Sequence, residues 1–407
     1  MQNVLIEKPY EFVAPYSSKW PVKFIMYSGI FKRWLKKLEG VESSEVRNAD
    51  KLKESMAAGH SIMLTPNHSR TADPMAMGFL GLETGCTFYA MASWHLFNQG
   101  WLYRFILRAM GAFSVNREGI DRQAIDRAID VLAEGDRAFI LFPEGTTSRT
   151  NDKLMALLDG TSFIARAAAK KRAKRDGGKV VVHPIAIKYL YGGDIRKACD
   201  ETLGDIERRI SWRDQKDLKL VDRIKKLGNA LLKLKELEYE APETSGDFLA
   251  RQQGLVNHLL HPLEKEWLGA EADASEGIQI RIKNLRMKIF PEISRGEVDE
   301  QEKARRWVHL EDTYLAQQLD CYPKSYVSEF PSVDRILETI ERFEEDLTDK
   351  ARIHGKLKAV LEVMDPIEVS TKRERGAAED PLMAQIRERL QGQLDIMKSE
   401  SRMYQPE

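Results

Sequence analysis

Short apolar runs alternate with helical patterns between residues 61 and 190. The apolar runs are rich in β-branched and aromatic residues, which favour strands. The predicted strands are Ser61–Thr65, Thr87–Met91, Gly111–Val115, Ala138–Phe142 and Val180–Ile187. The predicted helices cover residues 75–81, 95–109, 119–133 and 159–173. This alternation predicts an α/β domain with a largely buried sheet.

The pattern changes after residue 200. Residues 201–350 are dominated by charged, helix-favouring sequence and carry few strand signals. A strand signal returns at Val360–Val369, and an amphipathic helix is predicted over residues 381–398. We therefore expect an inserted helical segment, followed by a strand and a helix that rejoin the α/β core. The predicted divisions are residues 1–40 (an amphipathic helical segment), 41–200 (the core), 201–350 (the helical elaboration) and 351–407 (the terminal strand and helix).

One amphipathic helix is predicted over residues 20–38. Its apolar face comprises Ile30, Phe31, Trp34, Leu35 and Leu38, and its basic face comprises Lys32, Arg33, Lys36 and Lys37. Two interpretations remain open at this point. The helix either lies in a membrane surface, with Trp20 and Trp34 as interfacial anchors, or packs on the domain.

Composition and charge narrow the functional classes. The chain has 407 residues, of which 43% are apolar and 31% charged, as in globular proteins. Its three cysteines form no CxxC pair, which excludes a disulfide framework and a thiolate zinc site and fits a reducing compartment. No secretory signal or spanning segment is predicted. The net charge is zero, but residues 1–200 carry 29 basic against 21 acidic residues, so that half is suited to face anionic lipids or phosphates. The alternative is that basic and acidic faces of one protein simply meet.

A polar segment, Pro-Asn-His-Ser-Arg-Thr-Ala-Asp-Pro, follows the first predicted strand at residues 66–74. His68 and Asp73 could not touch on a regular helix or strand, where five residues place them about 140° or a full face apart. The two prolines favour a loop that enters a helix, which can bring the two side chains together. A carboxylate on one ring nitrogen leaves the other free as a general base. Asp73 is also placed to cap the helix, with Pro74 as its first residue, and both roles could hold.

Two further strand ends carry polar residues. Phe142–Arg149 brings an acid, a glycine and three hydroxyls next to an arginine, which suits substrate hydroxyls and phosphate but also an ordinary polar turn. Gly111–Arg117 delivers Arg117 from a strand end. Phosphate loops, nucleotide-binding glycine motifs, serine nucleophile elbows and HExxH zinc motifs are all absent from the sequence.

In this order and spacing, the segments resemble the glycerolipid acyltransferase family, which includes 1-acylglycerol-3-phosphate acyltransferases. The NHx4D block is Asn67–Asp73, the FPEGT block lies in Phe142–Arg149, and residues 181–187 resemble the later apolar strand with a proline. The resemblance covers about residues 20–190 and, weakly, residues 365–369. It implies a mixed sheet flanked by helices, and the helical elaboration predicted above, which has no analogue in the family, is inserted before the last strand.

The resemblance also implies the roles of individual residues. His68 would be the general base and Asp73 the carboxylate that orients it. No metal, cofactor or covalent intermediate is implied, and acyl-CoA or acyl carrier protein would be the co-substrate. The implied substrate-binding residues are Asn67, Arg117, Glu144, Gly145, Thr146, Ser148 and Arg149. Two departures affect the acceptor: Thr147 stands where the family often has arginine, and Arg70 where it often has serine.

The expected function is acyl transfer from a thioester to a hydroxyl of a glycerol phosphate or lysophospholipid, with 1-acylglycerol 3-phosphate giving phosphatidate. The alternative is a non-catalytic lipid-binding or scaffold protein with the same fold. We expect a peripheral protein on the cytoplasmic face of a membrane. A basic run suits coenzyme A phosphates, an acidic carrier protein or anionic lipid, although a solvated helix end explains it equally well. It comprises Lys170, Lys171, Arg172, Lys174, Arg175 and Lys179. No aromatic residues interleave with it, so nucleic acid is not expected.

Overall fold

The strands form one mixed sheet in the computed structural model, which describes residues 10–243, 245–273, 276–323, 326–327, 330–372 and 379–406. The strands are β1 Val41–Arg47, β2 Ser61–Pro66, β3 Phe88–Ser93, β4 Ala112–Val115, β5 Ala138–Ile140, β6 Val180–Tyr191, β7 Leu357–Val363 and β8 Ile367–Glu368. Their order is β1-β7-β6-β2-β5-β3-β4, with β8 beside β6. The neighbours are parallel except that β6 runs antiparallel to β7 and β8. The expected mixed α/β sheet is confirmed.

Helices cover both faces of this sheet. They are α1 Trp20–Tyr27, α2 Ile30–Glu39, α3 Ala49–Ala57, α4 Asp73–Thr84, α5 Trp101–Ala109, α6 Arg122–Glu134, α7 Gly160–Asp176, α8 Ile195–Arg209, α9 Leu220–Glu238, α10 Phe248–Leu268, α11 Ile278–Arg295, α12 Glu300–Asp320, α13 Val333–Thr348 and α14 Pro381–Met397. Short 3₁₀ helices lie at Trp94–Asn98 and Lys398–Glu400.

The apolar runs of the strands follow from burial on both sides. Ile62 and Leu64 of β2 point into a core shared with α2, α3, α4, α8 and α13. Met63, between them, points into the opposite core, which is shared with α6, α7 and α14. Successive side chains of a strand alternate between faces, so a strand covered by helices on both sides must be apolar throughout.

The predicted strands are present with shifted ends, but one of them needs correction and one strand was missed. Val360–Val369 is not one strand but β7 and β8, which are separated by Met364, Asp365 and Pro366. Proline has no N–H for the ladder, which is consistent with the break. The sequence also gave no sign of β1, whose residues 42–44 are exposed because this edge strand pairs only with β7.

The single helix predicted over residues 20–38 is two helices. Gly29, with φ of +74°, separates α1 from α2, and a left-handed residue cannot continue a helix. On α2, Phe31 and Leu35 are buried in the core, and the Phe31 ring packs edge-on to Phe79 at 5.3 Å. Part of the apolar face therefore packs on the domain, whereas Leu38 stays exposed.

The helical segment forms two parts. Helices α9 to α12 enclose an apolar core of their own, whereas α8 and α13 pack on one face of the sheet. After α13 the chain enters β7, which lies between β1 and β6. The terminal strand thus rejoins the core, as expected. Within the described ranges, every helix is too short or too polar to cross a membrane.

Candidate active site

The three polar motifs meet at one edge of the sheet. Strands β2, β5, β3 and β4 are neighbours and run parallel, so their carboxyl ends share that edge. His68 follows β2, Glu144 follows β5 and Arg117 follows β4. Loops at this edge of an α/β sheet are the usual place for ligands.

The structure brings His68 and Asp73 into contact. His68 Nδ1 lies 2.9 Å from Asp73 Oδ2 across the turn that leads from β2 into α4. When Nδ1 carries the proton and donates it in a hydrogen bond to the carboxylate, the lone pair on Nε2 can accept a proton. The pair has the arrangement of a base and its orienting carboxylate.

Asp73 is fully buried, and three groups donate to its carboxylate. Besides His68, the Tyr189 hydroxyl donates to Oδ1 at 2.7 Å and the Arg70 backbone N–H to Oδ2 at 2.9 Å. The predicted capping role is wrong: Asp73 is the first residue of α4, Ala72 is the N-cap, and no side chain caps the helix. The carboxylate is therefore held for His68 and not for the helix end.

The His68 ring lies between Phe142 and Thr147. Its plane stacks on Phe142 with ring centroids 4.2 Å apart, and Nε2 lies 3.4 Å from the Thr147 hydroxyl. The His68 side chain is 16% exposed. The ring is thus packed on one side by Phe142, and Nε2 on its edge contacts the Thr147 hydroxyl.

Glu144 is a buried part of the same loop assembly. Its Oε1 accepts from the His68 backbone N–H at 2.6 Å and its Oε2 from that of Met155 at 2.9 Å. Burial raises the pKa of Glu144 to about 7, although both backbone hydrogen bonds act in the opposite direction. Gly145 has φ of +69°, and an added Cβ would lie 2.6 Å from the Leu158 side chain. Glu144 and Gly145 shape the turn, and both oxygens of Glu144 are already engaged by backbone.

Asn67 and Ser148 also bond to the protein backbone. The Asn67 amide exchanges two hydrogen bonds with Ile187 on β6, at 2.7 and 3.0 Å. Ser148 donates through its N–H and hydroxyl to the His68 carbonyl. These two expected substrate ligands therefore fasten the loops together, whereas Thr146 is half-buried without a hydrogen bond to any described residue.

Arg149 is expected to bind substrate, but the structure places it in a buried ion-pair cluster with α13. Its guanidinium lies 2.7 Å from Glu345 and 3.3 Å from Glu341. Arg70 lies 2.7 Å from the same Glu341. Arg342 donates to the Ser148 carbonyl at 2.5 Å. The charge of Arg149 is neutralised within the protein, which corrects the expectation of a free phosphate ligand here.

Arg117, in contrast to Arg149, has no ion pair with the described residues. It is half-buried, its Nε is fully enclosed without a hydrogen-bond partner, and none of the described residues pairs with it. Its charge contributes, after burial, to lowering the pKa of His95 to about 4, so that histidine is neutral at pH 7. Arg117 is therefore the cation of the predicted set that is left available for an anion.

Sequence reasoning missed Tyr189 and the α13 residues Glu341, Arg342 and Glu345. Tyr189 lies in an apolar strand, where an aromatic residue is normally interpreted as part of the hydrophobic core. The α13 residues lie almost 200 positions from the loop they hold. For these, the one available signal was the unusual density of acidic residues at the end of a helix with a strongly apolar opposite face.

Comparisons with known proteins give two matches to this chain. A family model described as Acyltransferase matches residues 43–188, which include β2 to β5, most of β1 and β6, and all three motifs. The chain is 29% identical over 188 residues to a 1-acyl-sn-glycerol-3-phosphate acyltransferase of Streptococcus pneumoniae (strain ATCC BAA-255 / R6). That alignment covers 43% of this chain and 66% of the relative's length.

Proposed function

We propose that the protein transfers an acyl group from a thioester to a hydroxyl of a glycerolipid acceptor, because residues 43–188 match the Acyltransferase family model. The observation that carries the proposal is the His68–Asp73 pair, whose Nδ1–Oδ2 distance is 2.9 Å. The relative's name supports 1-acylglycerol 3-phosphate as acceptor, with phosphatidate as product. Acyl-CoA or acyl carrier protein is the proposed donor.

The proposed mechanism uses His68 as a general base. Its Nε2 takes the proton from the acceptor hydroxyl while that oxygen attacks the thioester carbonyl carbon. The new C–O bond forms, the C–S bond breaks, and the proton passes from His68 to the leaving thiolate. Asp73 holds the ring in the required tautomer and stabilises the imidazolium during the transfer. The products are an ester and a free thiol.

We also propose that the acceptor reaches His68 from a membrane surface. On α1, Trp20 is 71% exposed and stacks on the exposed Phe24 at 5.5 Å; on α5, Trp101 is 81% exposed. Phe105 of α5 lies 5.8 Å from Tyr16, four residues before α1, so α5 packs beside the segment that leads into α1. Exposed aromatic side chains flanked by lysines suit the interface of an anionic bilayer.

Helix α2, which follows α1 in the chain, borders the catalytic loop. Glu39, at the end of α2, accepts a hydrogen bond from Thr71 at 3.0 Å, and Thr71 lies between His68 and Asp73 in the chain. The charge of Glu39 also contributes, after burial, to raising the pKa of Tyr103 on α5. A lysolipid whose chain stays in the bilayer would thus present its headgroup next to His68.

The test is thiol release from acyl-CoA in the presence of lysophospholipids and glycerol 3-phosphate, with wild type and His68→Ala. We expect His68→Ala to lower turnover by roughly 10²–10⁴ because general-base catalysis contributes about that much. His261→Ala is the matched control, since His261 is a partly exposed histidine on α10, away from the motifs.

The two proteins must show the same circular dichroism and thermal unfolding. A folded His68→Ala protein with near wild-type turnover would refute the mechanism. Lysolipid binding without thiol release by the wild type would favour the non-catalytic lipid-binding alternative.

A further inference from the structure

Two arginines without carboxylate partners lie together where the helical segment meets the loop after β4. Arg286, on α11, is 8% exposed and stacks on the Tyr314 ring of α12 with its guanidinium carbon 4.1 Å from the ring centroid. Arg117 is the unpaired arginine of the sequence motif. The family model ends at residue 188, so Arg286 belongs to a part of the chain that it does not cover.

The hydrogen bonds of Arg286 leave part of its guanidinium unused. Nε donates to the Thr313 hydroxyl at 2.9 Å and Nη2 to the Gln317 side-chain oxygen at 3.2 Å. Among the described residues, Nη1 has no acceptor and no carboxylate is within ion-pair distance. Two neutral acceptors orient the group without neutralising it.

Contacts between the loop and the helices place Arg117 beside this group. Tyr314, under the Arg286 guanidinium, donates its hydroxyl to the carboxylate of Glu118, the residue next to Arg117. One residue further, a Cβ on Gly119 would lie 3.5 Å from Phe290, which is one turn after Arg286 on α11. Burial lowers the pKa of Arg286. The positive charge of Arg117 lowers it further, whereas the negative charge of Glu118 raises it.

Two other buried arginines of the helical segment are paired with carboxylates. Arg281, five residues earlier on α11, pairs with Glu264 at 2.7 Å, and Arg306 pairs with Glu292 and Glu302. Burying a cation without a counter-charge is costly, so such groups are normally paired. Among the described residues, Glu118 is the carboxylate whose charge acts on Arg286, and one carboxylate cannot offset the charges of both Arg117 and Arg286.

We propose that Arg286 is a second phosphate-binding arginine, which acts together with Arg117 and determines the preference for phosphate-bearing substrate. Guanidinium groups match phosphate oxygens with two parallel hydrogen bonds, and a phosphomonoester brings up to two negative charges. The proposal rests on the proposed function and adds to it a residue of the helical segment that contacts the substrate.

The subsite lies on the same sheet edge as His68. Three strand spacings separate β2 from β4, which is about 14 Å at the usual distance between strands. A glycerol backbone and an extended arginine side chain can together bridge this distance. The phosphate comes either from the acceptor headgroup or from the nucleotide of coenzyme A.

The experiment compares wild type, Arg286→Gln and Lys288→Gln in two measurements. Lys288 is exposed on the same helix and controls for loss of one positive charge. In steady-state kinetics, Arg286→Gln should raise the KM for 1-acylglycerol 3-phosphate about 10- to 100-fold, as expected for a lost charge-assisted contact. The KM for acyl-CoA, compared with that for an acyl thioester of N-acetylcysteamine, shows whether the phosphate belongs to the donor instead.

The second measurement is stabilisation against thermal unfolding by glycerol 3-phosphate and by coenzyme A, which needs no turnover. Loss of this stabilisation in Arg286→Gln, with Lys288→Gln like wild type, supports the subsite even if no acyl transfer is found and the proposed function fails. Unchanged KM values and unchanged stabilisation in folded Arg286→Gln overturn the proposal.

Two further variants keep the test decisive if Arg286→Gln does not fold. Arg286→Lys keeps the charge but loses the fork, so it should bind glycerol 3-phosphate less tightly than wild type. Glu118→Gln removes the opposing charge and should bind it more tightly. Affinities equal to wild type in both variants also overturn the proposal.

Discussion

The Asp73 carboxylate shows how one buried residue sets the geometry of the proposed base. It accepts from His68, from Tyr189 and from the backbone of Arg70, and it has no contact with solvent. The donors on both oxygens hold the carboxylate in one orientation. Loss of the Tyr189 hydroxyl would leave Oδ1 buried without a donor, which costs about 1–3 kcal/mol.

The first residue-scale prediction is Tyr189→Phe. It removes the hydroxyl that lies 2.7 Å from Asp73 Oδ1 and leaves the ring in place. We expect the free energy of unfolding to fall by about 1–3 kcal/mol. Turnover should fall roughly tenfold, or about 1.4 kcal/mol in activation free energy, because Asp73 orients His68 less strictly. Chemical denaturation and the kcat of thiol release measure the two effects.

Tyr191→Phe is the control for this prediction. Tyr191 lies two residues further on the same strand, and its hydroxyl makes a 3.4 Å contact with the Asp194 carbonyl, away from Asp73. It should keep wild-type turnover. Equal kcat values for Tyr189→Phe and Tyr191→Phe would show that the Tyr189 hydroxyl does not support the base.

The second residue-scale prediction concerns pH. Burial raises the pKa of Glu338 to about 8, although the charge of Arg70 acts in the opposite direction. Its Oε2 accepts from Tyr326 and from the Asn151 N–H, whereas Oε1 is buried without a partner among the described residues. Because the folded pKa lies above the ordinary value of 4.5, the protonated group stabilises the fold below about pH 4.5 and this contribution is lost as the pH rises through 8.

Glu338→Gln should therefore make stability less dependent on pH. We expect the Tm of the variant to fall less than that of wild type between about pH 5 and about pH 9. Other raised groups, such as Glu144, titrate in both proteins, so the difference between the two Tm curves isolates Glu338. Parallel curves would contradict the assignment.

At the scale of elements, helix α13 holds the catalytic loop in place through ion pairs. Glu341 contacts Arg70 at 2.7 Å and Arg149 at 3.3 Å, so one carboxylate ties both ends of the site to a helix outside the family-matched residues. Arg70 in turn presents the backbone N–H that holds Asp73. The helical segment is thus coupled to the proposed chemistry by buried charge.

We predict that Glu341→Gln destabilises the protein by about 3–5 kcal/mol, the usual effect of breaking a buried ion pair from one side. Turnover should fall as well, since the Arg70 backbone loses its anchor. The control is Glu379→Gln, which removes the same charge from the exposed pair with Arg387 and should change the free energy of unfolding by at most about 1 kcal/mol. Similar denaturation curves for the two variants would show that Glu341 does not stabilise the catalytic loop.

The sequence predicted the elements whose signals are local. The two prolines around residues 67–73 predicted the loop that joins His68 to Asp73, and apolar runs predicted the central strands. Arg149 was interpreted from its neighbours as a phosphate ligand, because no local pattern shows that Glu341 and Glu345 occupy it. The polar edge strand β1 was missed for a related reason: its strand state depends on pairing with β7, more than 300 residues away.

At the scale of the whole molecule, aromatic side chains are exposed on two helices of the N-terminal half of the chain. Trp20, Phe24 and Tyr27 on α1 are exposed, as is Trp101 on α5. Exposed aromatic residues that cluster next to a site indicate an interaction surface, whereas isolated ones are ordinary. The buried part of α2 fixes α1 to the domain, so membrane contact through α1 would hold the catalytic loop in a fixed orientation to the bilayer.

The last prediction is that Trp20→Ser with Phe24→Ser weakens binding to phospholipid vesicles that contain phosphatidylglycerol. A large apolar side chain contributes about 1.5–3 kcal/mol when fully buried, so the double variant should lose at least about tenfold in partition coefficient. Wild-type binding should rise with the anionic lipid fraction and fall with salt, because the lysines of α2, which follows α1, are exposed. Ile396→Ser is the control, since Ile396 is equally exposed but lies on α14, which packs on the opposite face of the sheet. Vesicle co-sedimentation that is the same for all three proteins would rule out α1 as the membrane contact, and the acceptor would have to reach His68 from solution.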